Sequence, residues 1–371
     1  MHSDFVNISK NMSNESLLKT ETLFVTKKKS WFEAFASHFQ SICADIVKLQ
    51  NESTLPAISY MEYSLLYTNF INRKYIAEVL VYGDRRYLDK KQRIIGEYDI
   101  SFLFIYFDEL WNELLSTRKR YLGKVTASEI KSIMLKSLPF FYSYLVSIAR
   151  FAIKDCINKK PFVDINKNDL FRVKVGDYMA NAEIIYSESK YKDATTLAKW
   201  FLEKLENEYT FEDFSDLDFS GYTFDSTEFC FSQFRGSNLN SVSLESSVLI
   251  GANFCMASME NCCLENCSIN EADFSFALLR NASFYNSNGQ AGLANRAKWQ
   301  RVRFLPVNFS YADLTNVDFR WSKLQEADFT GSILSGASFM GANLTGADFT
   351  GTTLVNTDFS DAVLDNTIFN E

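Results

Sequence analysis

Apolar residues recur along this chain with two different rhythms. In the C-terminal part, from residue 214 to residue 369, every fifth residue is large and apolar except for two neighbours in that frame, Gly289 and Ala294. The stretch GASFMGANLTGADFTGTTL (336–354) shows it plainly, with Phe339, Leu344, Phe349 and Leu354 as successive centres. Neither a helix, with its period of 3.6, nor a strand, with its period of 2, repeats in this way. Two positions before each centre the residue is usually small, as at Ala252, Ala257, Cys262, Cys267, Ala272 and Ala337. One large and one small inward residue per five suits a narrow tube with one short strand per side. Glycine or asparagine recurs two positions after the centre (Gly331, Gly336, Gly341, Asn356, Asn366), where a corner needs tolerance of positive φ.

The first 208 residues follow the helical rhythm instead. Phe32, Phe35, Phe39, Ile42, Ile46 and Leu49 stand at three-four spacing and predict an amphipathic helix over 30–50. Residues 100–115 predict a second helix. A third, over 126–153, opens with a capping box at Thr126 and Glu129 and is expected to bend at Pro139. A last helix over 193–208 is placed to cover the first coil of the tube. The segments YIAEVLVYGD (75–84) and LFRVKVGDY (170–178) read as strands, so residues 1–208 are expected to be an α+β domain, mainly helical.

Self-similarity at a short fixed period marks a solenoid whose coils bury one another. The pattern resembles the pentapeptide-repeat family, A(D/N)LXX, over about 160 residues. The resemblance implies an all-β right-handed quadrilateral β-helix over 209–371, with four pentapeptides per coil. It also implies that an uncovered last coil dimerises, which would bury Leu364 and Phe369 in a homodimer. The residues 1–208 resemble no family we can name.

Between Phe284 and Phe304 the repeat degenerates. Phenylalanines prefer positions 254, 274 and 284 before the break and positions 309, 319, 329, 339, 349, 359 and 369 after it. If they keep to one pair of sides, an odd number of frames leaves the tube. Fifteen residues, about 286–302, make Phe304 the next side after Phe284, and a loop is expected there. Charge follows the same boundary. Residues 211–371 carry 20 acidic and 8 basic residues, net −12, which leaves net +4 for 1–210. Seven of the eight are Arg280, Arg296, Lys298, Arg301, Arg303, Arg320 and Lys323. With Trp299 they form a candidate partner-binding belt, since loops carry function and Trp and Arg anchor interfaces. Asp313, Asp318, Asp328, Asp348 and Asp358 form a candidate acidic face.

Chemical motifs are scarce. Seven cysteines fit no zinc spacing and the only histidines are His2 and His38, so no metal or cofactor is expected. Cys262 and Cys267 fall in the small inward slot, where a thiol acts as a buried hydrophobe. DINKND (164–169) has the odd spacing of a calcium loop but lacks its glycine and its glutamate. His38 reads as a surface or boundary residue. Residues 138–153 carry Arg150 and Pro139 and read as a buried helix, and no secretory signal opens the chain, so a cytoplasmic location and no membrane span are expected.

The absence of a catalytic constellation and the presence of a scaffold favour a non-catalytic protein-interaction scaffold whose protein partner is unidentified. The resemblance adds a sharper alternative. Some members of the family match a DNA duplex in width and charge and bind a type II topoisomerase in its place, which inhibits the enzyme or protects it from quinolones. Direct nucleic-acid binding is not expected of so acidic a surface. A third reading, a catalytic site within 1–208, has no positive residue behind it.

Overall fold

A computed structural model of the chain describes residues 2–83, 93–154, 156–178, 182–189, 209–291 and 305–370. The chain divides into two compact units, one reaching to Lys190 and the other starting at Tyr191. The helix expected over 193–208, and with it the domain boundary expected at 208, lies outside the described residues.

In the first unit three long helices, α1 (His2–Asn51), α3 (Ile105–Thr117) and α4 (Ala127–Lys154), accompany a five-stranded sheet and the short α2 (Tyr67–Ile71). The strands β1 (Ile58–Leu65), β2 (Ile76–Tyr82), β3 (Arg93–Asp99), β4 (Lys167–Asp177) and β5 (Ala182–Ser189) lie in the order β3-β2-β1-β4-β5. The central pair β1 and β4 is parallel, with Tyr63 opposite Val175, and the other neighbours are antiparallel. Met61, Tyr63 and Leu65 of β1 and Val173 and Val175 of β4 join Phe35, Phe39 and Ile46 of α1 and Phe141 and Leu145 of α4 in one core.

Local chemistry sets these elements. The capping box forms: Glu129 Oε2 accepts from the Thr126 N–H at 2.6 Å, and Thr126 Oγ1 accepts from the Glu129 N–H at 3.2 Å. α4 then runs through Pro139 to Lys154, so Pro139 does not end it. α4 is long and apolar enough to cross a membrane, and 61% of its apolar window is buried inside the protein. α1 is far longer than its apolar spacing predicts. Its first half buries Ser9, Ser16, Thr20 and Glu21 beside Phe5, Leu17 and Phe24, and these polar residues dilute the helical pattern. Tyr144 Oη donates to the buried Glu21 carboxylate at 2.9 Å.

The second unit is a solenoid of isolated bridges. Residue n pairs in parallel with residue n+20, as Asp213 with Gln233 and Gln233 with Asn253, so one coil takes twenty residues and holds four five-residue frames. The Phe214 N–H donates to the Gln233 carbonyl at 2.7 Å and the Gln233 N–H to that of Glu212 at 2.8 Å, and the ladder repeats down the coils. Inside, phenylalanines stack through Phe214, Phe234, Phe254, Phe274, Phe309, Phe329, Phe349 and Phe369, with neighbouring centroids 4.7–5.1 Å apart. A second stack, Phe284, Phe319, Phe339 and Phe359, meets the first edge-on. Tyr209 is buried and packs against Phe229, so the five-residue repeat begins one frame earlier than the sequence suggested.

Small inward slots filled by a hydroxyl or thiol gain a further bond. Ser237, Ser247, Cys262 and Cys267 each donate to the carbonyl of the centre residue 23 positions earlier, at 2.7–3.0 Å. Cys262 and Cys267 are therefore part of the packing, and burial pushes both thiols up to about 12.

At the break the register changes from 20 to 35: Asp273 pairs with Asn308, Leu278 with Asp313, Ser283 with Asp318 and Asn288 with Lys323. Fifteen extra residues thus enter between Asn288 and Asn308. The loop expected over 286–302 is misplaced by one frame, because Asn286, Asn288 and Gly289 keep their ladder bonds to Arg320, Cys267 and Lys323. The side after Phe284 is Gly289, not Phe304. The physical reason is compensation: a Cβ at Gly289 would lie 2.8 Å from Val307 Cγ1 and 3.1 Å from Ile269 Cγ1. Val307, in a slot that usually holds alanine, fills the room that the missing centre leaves. The remainder of the expected loop, 292–302, lies outside the described residues.

Candidate functional site

Asp residues just before the centres have a local job. The side chain of Asp348 accepts from the Thr350 N–H at 2.8 Å, that of Asp328 from Thr330 at 2.9 Å, and that of Asp318 from Arg320 at 2.9 Å. Asn238, Asn253 and Asn343 close the same turn at 3.0–3.2 Å, so the turn needs the oxygen and not the charge. Hydrogen bonds from the Ser360 hydroxyl and N–H hold the Asp358 carboxyl below the usual range. Burial raises the Asp313 carboxyl, but bonds from Thr315 and Arg280 outweigh it and leave it low.

These carboxylates do not form one face. Residues twenty apart share a side and residues ten apart do not, so Asp328 and Asp348 stand on one side, Asp318 and Asp358 on another and Asp313 on a third. The candidate acidic face is corrected accordingly.

The basic belt is also divided. Arg280 Nε donates to Asp313 at 2.7 Å, and Arg320 grips Asp318 through Nε and Nη2 at 2.7–3.0 Å. Lys323 is exposed and makes no ion pair among the described residues. Arg296, Lys298, Trp299, Arg301 and Arg303 lie outside the described residues. In the last coil Leu364 and Phe369 are exposed, although the Phe369 ring stacks on Phe349 at 5.1 Å.

Sequence reasoning missed a different feature. Met256, Phe276 and Tyr311 fall on one corner, in a position of positive φ, and the Phe276 and Tyr311 rings stack at 5.1 Å. On the adjoining side Leu278 and Ile333 point outward. All five are between 43% and 57% exposed. The carboxylate among them, Asp313, is buried and paired with Arg280. Tyr311 lies over Gly331, where a Cβ would meet its ring at 2.6 Å. The signal was available as a spacing of 20 and then 35 among outward residues.

In the first unit, carboxylates are tied to tyrosines. Tyr67 and Tyr142 donate to Asp177 Oδ2 at 3.0 and 3.1 Å, and Asp177 Oδ1 is buried without a partner among the described residues. Burial raises the Asp177 carboxyl, against the pull of both tyrosines. Tyr82 Oη donates to the buried Glu62. His38 sits at the helix-sheet boundary, within 3.2 Å of Tyr63 Oη and of the Glu97 carbonyl, and burial lowers its pKa. No three His, Cys, Asp or Glu among the described residues could hold a metal ion.

A family model described as pentapeptide repeats matches the chain in eight copies, at residues 231–266, 303–341, 322–361 and 342–371. No curated protein matches. Among solved structures, the chain is similar to HetL, a pentapeptide-repeat protein involved in heterocyst differentiation regulation in the cyanobacterium Nostoc sp. strain PCC 7120. That likeness has 14% identity and a TM-score of 0.21 and covers 48% of this chain and 98% of that one. It is similar also to QnrB1, a plasmid-mediated fluoroquinolone resistance protein, at 19% identity and a TM-score of 0.25, over 43% of this chain and 87% of that one. A third is Rfr23 from the cyanobacterium Cyanothece 51142, at 17% identity and a TM-score of 0.16, over 47% and 99%. With the five-residue frame, the twenty-residue coil and the family match agreeing, the C-terminal region of this chain is a pentapeptide-repeat solenoid, whereas the N-terminal part is matched by no family model.

Proposed function

We propose that this protein is a non-catalytic protein-interaction scaffold, built on a right-handed quadrilateral coil that presents fixed outward side chains to a protein partner. The observation that carries the reading is the gathering of five exposed apolar residues on one corner and the side next to it, because exposed apolar patches of this kind mark interaction surfaces. The ladder beneath them holds their spacing, so recognition needs little ordering on this side of the interface.

A second reading, a DNA-mimicking binder of a type II topoisomerase, is supported by the net charge of −12 over residues 211–371. One experiment separates the two. The purified chain and its Asp348→Asn, Asp358→Asn form are used for affinity capture and for gyrase supercoiling at stoichiometric amounts. The scaffold reading expects a stoichiometric protein partner that both forms retain and no change in supercoiling. Inhibition of supercoiling that the double substitution relieves would replace it with the second reading. Turnover of a substrate by the purified chain would overturn both.

A further inference from the structure

We infer that the exposed apolar corner is the docking site for an amphipathic helix of a partner protein that is basic along one flank. The inference rests on the scaffold reading and names the surface that serves it.

The spacing is the first support. Met256, Phe276 and Tyr311 occupy successive coils, and Leu278 and Ile333 line the adjoining side. Adjacent rings on the corner are 5.1 Å apart, close to the pitch of about 5.4 Å at which an α-helix presents residues i and i+4 on one face. An amphipathic helix laid along the solenoid therefore offers one apolar residue per coil, the usual register of helix recognition by anchors at i, i+4 and i+7.

Charge sets the orientation and the partner's chemistry. The side that precedes the corner bears Asp273, Asp328 and Asp348, and between Asn253 and Thr350 that side has no cationic residue. The corner that follows the apolar side carries a ladder of asparagines, with Asn281 donating to Asn261 at 3.3 Å and Asn316 to Asn281 at 3.2 Å, and its one carboxylate, Glu260, is offset by Arg280 at 3.9 Å. One flank is thus acidic and the other neutral. The one carboxylate within the apolar side, Asp313, is neutralised by Arg280. A helix with Lys or Arg on a single flank matches this arrangement, and an acidic one is repelled by it.

The test uses the full chain and three labelled 18-residue helical peptides of one apolar pattern: one with Lys on a single flank, one with Glu there, and one with the sequence scrambled. Fluorescence anisotropy is expected to show the Lys peptide binding at least tenfold more tightly than either of the others. Raising the salt from 0.05 to 0.5 M should narrow the gap. Tyr311→Asp with Ile333→Asp, both outward substitutions that leave the inward frame intact by circular dichroism, should abolish binding, and Asp328→Asn with Asp348→Asn should remove the preference for Lys. Absence of binding by all three peptides, equal binding of the Lys and Glu peptides, or binding that survives Tyr311→Asp with Ile333→Asp would each overturn the inference. Affinity capture with the same apolar-corner variant keeps the two claims apart: a partner still retained refutes this docking site and leaves the scaffold reading standing.

Discussion

Gly289 and Val307 give the sharpest test of how the coils run through the break, because the structure makes their sizes complementary. Val307 is fully buried, and its Cγ1 lies 2.8 Å from where a Cβ on Gly289 would stand. Val307→Ala removes two methyl groups, worth about 1.6 kcal/mol by burial at roughly 0.8 kcal/mol each. A cavity of about 45 Å³ at roughly 24 cal/mol per Å³ adds about 1 kcal/mol, so the single substitution costs about 2.5 kcal/mol. Gly289→Ala alone forces a methyl against Val307 and Ile269 and costs about 1–2 kcal/mol by overpacking. Together the two fit, since the new Cβ takes the place of the lost methyl. The double variant should cost about 1–1.5 kcal/mol, a coupling of about 2–3 kcal/mol relative to the sum. Urea denaturation followed by circular dichroism gives the three stabilities. Hydrogen exchange read by mass spectrometry over 284–290 and 319–325 localises the effect to the bonds of Asn288 with Cys267 and of Lys323 with Ser287. Additivity within about 0.5 kcal/mol, or a neutral Gly289→Ala, would refute the register. Residue 289 would then stand outside the tube, as the phenylalanine pattern alone first implied.

Other consequences can be checked as directly. Asp348→Asn should leave stability within about 0.5 kcal/mol because Asn closes the same turn, whereas Asp348→Ala should lose about 1 kcal/mol, both read from urea midpoints. With thiols pushed up to about 12, Cys262 and Cys267 should resist iodoacetamide at pH 8 in the native protein and react once urea opens the coils; mass spectrometry that finds them alkylated in the folded chain would contradict their burial. His38 is held neutral in the fold by a pKa below 6.5, so its contribution is complete above pH 6.5 and is lost as pH falls through the folded value, where the unfolded chain already binds the proton. In His38→Gln the decline of the urea midpoint between pH 7.5 and 5 should be shallower, and an unchanged slope would remove His38 from the account.

What could be read in advance was whatever repeats and points inward. The frame, its small slots and its corners follow from packing inside a tube, where every fifth residue meets the same demand. The helix over 30–50 and the capping box at Thr126 were legible for the same reason, since an apolar stripe or a cap is a local constraint. β1 was missed because it is buried on both sides: Glu62 and Ser64 are as inaccessible as Met61 and Tyr63, so no alternation marks it as a strand. β3 was missed for the opposite cause, an edge strand with Arg93 and Ile94 exposed and Gly96 in its middle. The first half of α1 hid behind its buried serines and threonine.

The apolar corner is a different case, since everything needed to see it was present. Met256, Phe276 and Tyr311 are separated by 20 and then by 35, one coil and one coil plus the fifteen inserted residues. That arithmetic holds whether the insertion begins at 286 or one frame later, so the error over Gly289 did not conceal it. Following only the inward centres did. Outward positions carry no packing demand, so nothing in the repeat forces them to be apolar. A phenylalanine or tyrosine at positive φ carries a conformational cost that glycine or asparagine would avoid. Stacking of Phe276 on Tyr311 offsets part of that cost without removing the rings from solvent. A residue type that neither the corner nor the core requires, repeated at the coil spacing, is better explained by something outside the coil, and for that reason the docking surface is placed here and not on the acidic turns, whose oxygens the fold itself uses.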